Sequence, residues 1–139
     1  MEISQRKQHI EKVFEILEQT HIDLYHHISK EEFKKRQAEF AQAAELIETE
    51  QFEAGMLRLF HHFFDAHTFY SVKFDSIRIP IVFHEKELFL IHNSECIEVT
   101  HVNGFSVRTA LEELKKLLSY EVEEEWTFWQ LRKLVVSPK

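Results

Sequence analysis

The spacing of apolar and polar positions predicts three amphipathic helices in the first half of the chain. In each of them apolar residues recur at helical intervals, which gives one apolar face. The predicted helices span residues 4–20, 30–47 and 50–64. Their predicted inward-facing residues are Ile10, Val13, Phe14, Leu17, Phe33, Phe40, Ala44, Ile47, Phe52, Met56, Leu59, Phe60 and Phe63.

Polar residues mark where the second and third helices begin. Ser29 and Glu32 have the spacing of a capping box, in which each side chain satisfies a backbone N–H of the other. Thr49 is the predicted N-cap of the third helix, because its hydroxyl can accept from the first turn. Residues 21–28 have mixed character and are predicted to connect the first two helices.

The pattern changes after Asp65, where residues 68–72 are β-branched and aromatic. Three strands follow from the patterns of apolar residues, and the first two are separated by only the polar pair Glu85-Lys86, as in a β-hairpin. Pro80 is predicted to lie at a sheet edge, since proline cannot donate to a ladder. The predicted strands span residues 77–83, 87–91 and 97–102.

The last part of the chain predicts a turn and one or two further helices. Asn103 and Gly104 both tolerate positive φ and form the strongest turn signal in the sequence. Ser106 can cap a helix over residues 107–118, and residues 126–135, with Trp126 and Trp129, could form another. Helices followed by strands and a closing helix indicate an α+β fold with a small, mainly antiparallel sheet.

Length and composition limit the classes of protein to be considered. The 139 residues predict one compact unit with a helical segment, 1–66, and a β-rich segment, 67–139. The net charge of −7 argues against nucleic acid and against an anionic membrane. Cys96 is the single cysteine, so no internal disulfide can form. The first residues lack the apolar core of a signal peptide, and we expect a cytoplasmic location.

A family resemblance rests on the order of several elements. The segment 56–68 ends in Asp65-Ala66-His67-Thr68 and resembles the Asp-Gly-His-Thr signature of C-terminal-processing (tail-specific) serine peptidases. The apolar runs 79–83 and 87–91 are similar to a strand pair of that family. Residues 97–104, which end in Asn103-Gly104, are similar to an element of its PDZ-like part. The resemblance covers residues 30–134.

The resemblance implies a non-catalytic module. Ala66 stands where the family has glycine, and no glycine-rich loop precedes Ile97, so capture of a peptide carboxylate is not expected. The family's catalytic serine and lysine lie in a later domain without a counterpart here. We therefore expect a protein- or peptide-binding or regulatory module that uses an exposed edge of the hairpin at residues 77–91. The alternative is an excised substrate-gating fragment of a complete peptidase.

Catalysis by this chain itself is not expected. A serine nucleophile needs a neighbouring base and oxyanion donors, and capping or turn roles account for Ser71, Ser76, Ser94 and Ser106. No cofactor is predicted. A small metal-dependent hydrolase built on His61, Asp65 and His67 is the remaining alternative, although their spacing is not that of the His-Glu-x-x-His motif.

The candidate binding residues lie at the two junctions of the chain. They are Asp65, His67, Thr68, Asn103 and Gly104. A short polar group at a helix end can also serve as a structural joint, which is the simpler interpretation of Asp65, His67 and Thr68. The expected partner is a protein or peptide, and formation of a homo-oligomer is left open.

Overall fold

The computed structural model describes residues 1–72, 80–85 and 87–118, and it has the predicted α+β architecture. Three helices come first, followed by short antiparallel strands and a fourth helix. The elements are a 3-10 turn Ile3–Gln5, α1 Arg6–Thr20, α2 Lys30–Ala43, α3 Thr49–His61, β1 Ile81–His84, β2 Glu87–His92, β3 Glu95–Val99, β4 His101–Val102, β5 Phe105–Ser106 and α4 Val107–Lys115. The predicted helix at 126–135 and residues 77–79 of the first predicted strand lie outside the described residues.

At the starts of α2 and α3, the Ser29 half of the predicted capping box is confirmed and the N-cap predicted at Thr49 is wrong. The Ser29 hydroxyl accepts the backbone N–H of Glu32 at 3.2 Å, at the start of α2. Glu48, not Thr49, is the N-cap of α3, and its backbone N–H donates to the Gln51 side chain at 3.2 Å. Thr49 already lies inside α3, where its hydroxyl accepts from Arg6 at 2.9 Å. A tertiary contact therefore uses the side chain that local sequence assigned to the cap.

Both α2 and α3 end earlier than the apolar pattern predicts. The helix α2 stops at Ala43, and turns lead to α3. The helix α3 stops at His61, and Phe64 has φ +49°, a left-handed conformation that terminates helical geometry. Apolar residues beyond the helix ends remain inside the protein, since Ala44 and Phe63 are both buried. The predicted helices are therefore too long, because the apolar pattern reports which residues are buried and not where the helix ends.

The helical part encloses a core rich in aromatic rings. Phe14 of α1, Phe33 of α2 and Phe63 form a close group, with ring centroids 5.0 Å apart for Phe14–Phe33 and 4.7 Å apart for Phe33–Phe63. Tyr70 packs on Phe60 at 5.8 Å, which places the start of the predicted β-rich segment against the helices. The buried residues of this core are Ile10, Phe14, Leu24, Phe33, Ala41, Ala44, Phe52, Met56, Leu59, Phe60 and Phe63.

Gly55 allows α2 and α3 to approach each other closely. A Cβ at this position would lie 2.1 Å from the Phe40 ring, which stacks on Phe52 with centroids 5.6 Å apart. We expect Gly55→Ala to lower the free energy of unfolding by about 1–2 kcal/mol, because displacing Phe40 outweighs the better helix propensity of alanine.

A double-mutant cycle in urea tests this prediction. In a Phe40→Ala background the clash is gone, so Gly55→Ala should stabilise the protein by about 0.5–1 kcal/mol. The same destabilisation in both backgrounds would show that the Phe40 ring is not the obstacle.

The strands form two small antiparallel sheets. The first has the order β1-β2-β3 and the second pairs β4 with β5. Asn103 and Gly104 connect β4 to β5 with φ values of +49° and +82°, which confirms the predicted turn. Asn93 and Ser94, with φ values of +49° and +64°, make the same kind of turn between β2 and β3, and this turn was not predicted. That second turn lacks glycine, so its sequence signal is weak.

The predicted strand at 97–102 is divided in the structure. Pairing with β2 ends at Val99, and Thr100 separates β3 from β4. The Thr100 carbonyl accepts the Val107 backbone N–H at 2.9 Å, which fixes the start of α4 beside the end of β3. Ser106 caps α4 as predicted, accepting the Thr109 backbone N–H at 3.1 Å.

One face of the three-stranded sheet packs on α4 and forms a second core. Its buried residues are Ile81, Leu88, Val107, Leu111 and Leu118. In α4 and just after it, Leu111 and Leu118 are buried and Leu114 is partly buried. The Nδ1 N–H of His61 donates to the Leu118 carbonyl, which links the end of α3 to the residues that follow α4.

Candidate functional site

Asp65 is the centre of a hydrogen-bonded joint just after α3. Its carboxylate accepts from the Nε2 N–H of His21 at 2.9 Å, the Thr68 hydroxyl at 2.6 Å and the His67 backbone N–H at 2.8 Å. Its backbone carbonyl accepts the Thr68 N–H at 3.2 Å. These contacts are all internal to the chain, so they hold the turn after α3 against the end of α1.

The electrostatics of the joint favour an ionised Asp65. Burial alone would raise the pKa of this carboxyl, but hydrogen bonds from His21, from the Thr68 hydroxyl and from the His67 backbone outweigh burial. The pKa of Asp65 therefore lies well below its ordinary value. Such a carboxylate stays ionised and is a poor general base, which agrees with a positioning role.

His21 was missed as a member of this group. It lies 44 residues before Asp65, in the predicted connector, and no local motif relates the two positions. Its Nδ1 accepts the Asp23 backbone N–H at 3.1 Å, which fixes the tautomer with the proton on Nε2. Only the packing of α1 against the end of α3 reveals this partner.

The three side chains of the predicted metal-dependent alternative do not converge on one point in the structure. The ring of His61 turns to the Leu118 carbonyl, whereas Asp65 turns to His21. His67 extends into solvent with 91% of its side chain exposed and Nδ1 3.6 Å from Asp65. Within the described ranges, no three histidine, cysteine, aspartate or glutamate side chains converge closely enough to hold a metal ion. Nothing in the geometry therefore favours that alternative.

The other predicted site residues have a structural role. Asn103 and Gly104 form the exposed turn between β4 and β5, where positive φ accounts for both residue types. A Cβ at Gly104 would meet no atom within 4 Å, so the backbone angle, and not a close contact, selects glycine here. These residues lie in the sheet part, whereas the Asp65 joint closes the helical part.

The edge of the sheet at β3 offers a different kind of site. The Ile91 N–H donates to the Pro80 carbonyl at 2.8 Å, so alternate residues of β2, starting from Ile91, bond toward β1. The remaining residues, including Leu88 and Leu90, bond toward their β3 partners Val99 and Ile97. The backbone N–H and C=O groups of Cys96 and Glu98 consequently point away from the sheet.

The strand that carries these outward-pointing groups is exposed in the described part of the chain. Every residue of β3 except Val99 is exposed, and Ile97 has 45% of its surface exposed although it lies on the same sheet face as α4. Cys96 and Glu98 lie on the opposite face, which we call the outer face. Val82 and Ile91 on this outer face are 43% and 40% exposed.

Apart from histidines, the ionisable residues of β2 and β3 that carry a charge are all glutamates. Glu87 and Glu98 lie on the outer face at either side of Phe89, and Glu95 begins β3. No lysine or arginine occurs between Glu87 and Ser106. The edge therefore combines outward-pointing backbone groups, partly exposed apolar side chains and glutamates without a lysine or arginine in β2 or β3.

Comparison with known proteins adds no relative. The chain matches no protein-family model, no curated protein and no solved structure. A helix that crosses a bilayer would need a longer apolar run than any helix in the described ranges contains.

Proposed function

We propose that this protein is a non-catalytic binding module that captures an extended peptide segment of a partner protein by strand addition along β3. In this binding mode the backbone of the peptide continues the ladder of a sheet, and alternate side chains contact the two faces. The observation that carries the proposal is the outward direction of the Cys96 and Glu98 backbone groups in an exposed strand. Such groups are a template for another chain.

The proposal places the binding edge at β3 and not at β1. The four residues of β1 begin with Ile81, which is buried, whereas the first four residues of β3 are all exposed. The strand β3 also starts from a tight turn at Asn93 and Ser94, which fixes its register against β2. A strand that is already formed and paired on one side reduces the entropy lost when a peptide adds to it.

The proposed role agrees with the resemblance to the non-catalytic region of the tail-specific peptidases, because both describe a recognition module. It does not use carboxylate capture, since no glycine-rich loop precedes Ile97. The Asp65 joint supports the fold in this proposal and is not a contact surface.

Proline at position 96 provides a direct test. The Cys96 N–H points away from β2, so proline there should remove the outward donor without breaking the ladder of the sheet. We expect Cys96→Pro to weaken peptide binding at least about tenfold, because one ladder bond is lost and the ring hinders the approaching strand. The probes are peptides of about eight residues in which valine alternates with lysine, glutamate or serine, measured by calorimetry.

Cys96→Ala is the matched control, since it loses the same thiol and keeps the N–H. It should bind each probe like the unaltered protein, and both variants should unfold at similar urea concentrations. Binding that is equal in Cys96→Pro and Cys96→Ala, or absent for every probe, would contradict strand addition at β3.

A further inference from the structure

Resting on the proposed function, we infer that the peptide captured at β3 is cationic and amphipathic, with a lysine or arginine beside Glu98 and apolar residues beside Ile97 and Val99. The occupant is an extended segment of a partner protein whose side chains alternate between apolar and basic. This inference goes beyond strand addition as such, because it assigns a side-chain pattern to the two faces of the added strand.

The apolar half of the pattern follows from the inner face of the sheet. Ile97 and Val99 share this face with Leu88 and Leu90, which belong to the core under α4. Ile97 is still 45% exposed, because no described residue covers it at the edge. An apolar side chain of an added strand beside Ile97 would bury this surface and extend the existing core.

The basic half of the pattern follows from the outer face. A residue of the added strand beside Glu98 would point to the outer face, where Glu87 of β2 is a second but more distant carboxylate. A glutamate at that position would lie directly opposite the Glu98 carboxylate, and neither β2 nor β3 contains a lysine or arginine that could offset the repulsion. Cross-strand pairs of opposite charge stabilise a sheet and like charges opposite each other destabilise it, so a basic residue is selected.

Alternation joins these two requirements into one motif. Successive residues of a strand point to opposite faces, so the residue beside Glu98 is flanked by residues beside Ile97 and Val99. The partner segment therefore reads apolar-basic-apolar along the edge. A negatively charged edge also steers a cationic segment toward β3 before contact is made.

Binding of the valine-lysine and valine-glutamate peptides to the intact protein tests the inference. We expect the lysine peptide to bind about three- to tenfold more tightly at low salt. A peptide of the same composition with its valines and lysines in separate blocks should bind much more weakly, since it lacks the alternation. Equal binding of the block peptide would show that general attraction to the acidic protein explains the result and would overturn the inference.

Charge reversal assigns the preference to Glu98. The variant Glu98→Lys should reverse the preference, so that the glutamate peptide binds more tightly than the lysine peptide. Glu39→Lys, an exposed glutamate on α2, changes the net charge equally and should keep the original preference. An unchanged preference in Glu98→Lys would overturn the inference.

The outcomes distinguish the inference from the proposed function. If both peptides bind equally and Cys96→Pro weakens both, strand addition stands and the charge preference is wrong. If no alternating peptide binds at all, strand addition and the inference both fail.

Discussion

Replacing Arg6 by alanine is expected to lower the free energy of unfolding by about 3 kcal/mol, the largest effect of any change considered for this protein. The guanidinium is almost fully buried and donates to the Ala44 carbonyl at 3.1 Å, the Ile47 carbonyl at 2.6 Å and the Thr49 hydroxyl at 2.9 Å. Alanine would leave these acceptors without the donor between α1 and the α2–α3 connection. Urea unfolding measured by circular dichroism gives the loss directly.

Two further variants separate charge from geometry at this position. Arg6→Lys keeps the charge but lacks the planar fork that reaches several acceptors, so it should recover less than half of the loss. Lys7→Ala changes the neighbouring exposed residue of α1 and should shift stability by less than about 0.5 kcal/mol. Full stability of Arg6→Lys would show that the hydrogen-bond geometry of arginine is unimportant here.

Loss of the Asp65 carboxylate is expected to be the second largest effect. Asp65→Ala removes the acceptor of three hydrogen bonds, from His21, the Thr68 hydroxyl and the His67 backbone, and should lower the free energy of unfolding by about 2–3 kcal/mol.

The matched control for Asp65→Ala is Asp23→Ala, because the Asp23–His26 pair is a solvent-exposed aspartate–histidine contact at 3.1 Å. Exposed pairs contribute little, so Asp23→Ala should cost less than about 0.5 kcal/mol. Equal losses of unfolding free energy in Asp65→Ala and Asp23→Ala would contradict a stabilising role of the Asp65 hydrogen bonds.

The Asp65 joint also predicts the direction of the acid dependence. A carboxyl whose pKa is lowered in the folded state stabilises that state fully above the unfolded pKa. This contribution is lost as the pH falls below about 4, where the unfolded chain takes up the proton. Asp65→Asn should therefore be less stable at neutral pH and lose less stability between about pH 5 and pH 3.

The pH dependence of the unaltered protein must be compared with that of Asp65→Asn, because Glu18 also responds to acid. Hydrogen bonds from Lys34 and Tyr25 lower the pKa of Glu18 to about 2, so this carboxylate contributes to acid sensitivity in the same range. The unaltered protein and Asp65→Asn both retain Glu18, so the difference between their unfolding free energies at each pH gives the contribution of Asp65. Parallel pH profiles for the two proteins would contradict the lowered pKa of Asp65.

Part of the candidate site could be predicted from local sequence and part could not. Asp65 and Thr68 are close enough along the chain for an aspartate after a helix to predict a turn that it stabilises. His21 completes the joint from another helix end, and no local pattern predicts the buried hydrogen bonds of Arg6. The exposed edge at β3 could not be predicted from local sequence either, because an edge position depends on which strands pair.

The sequence by itself determined the class and order of the elements. Apolar spacing located α1, α2 and α3, and the positive-φ preference of Asn103 and Gly104 located the turn before α4, because these signals act between residues close along the chain. Tertiary structure alone decided that Arg6 is buried, that Glu48 replaces Thr49 as the cap, and that Cys96 and Glu98 point outward. Those outcomes depend on contacts between distant segments, whose free energies exceed the weak local preferences of single residues.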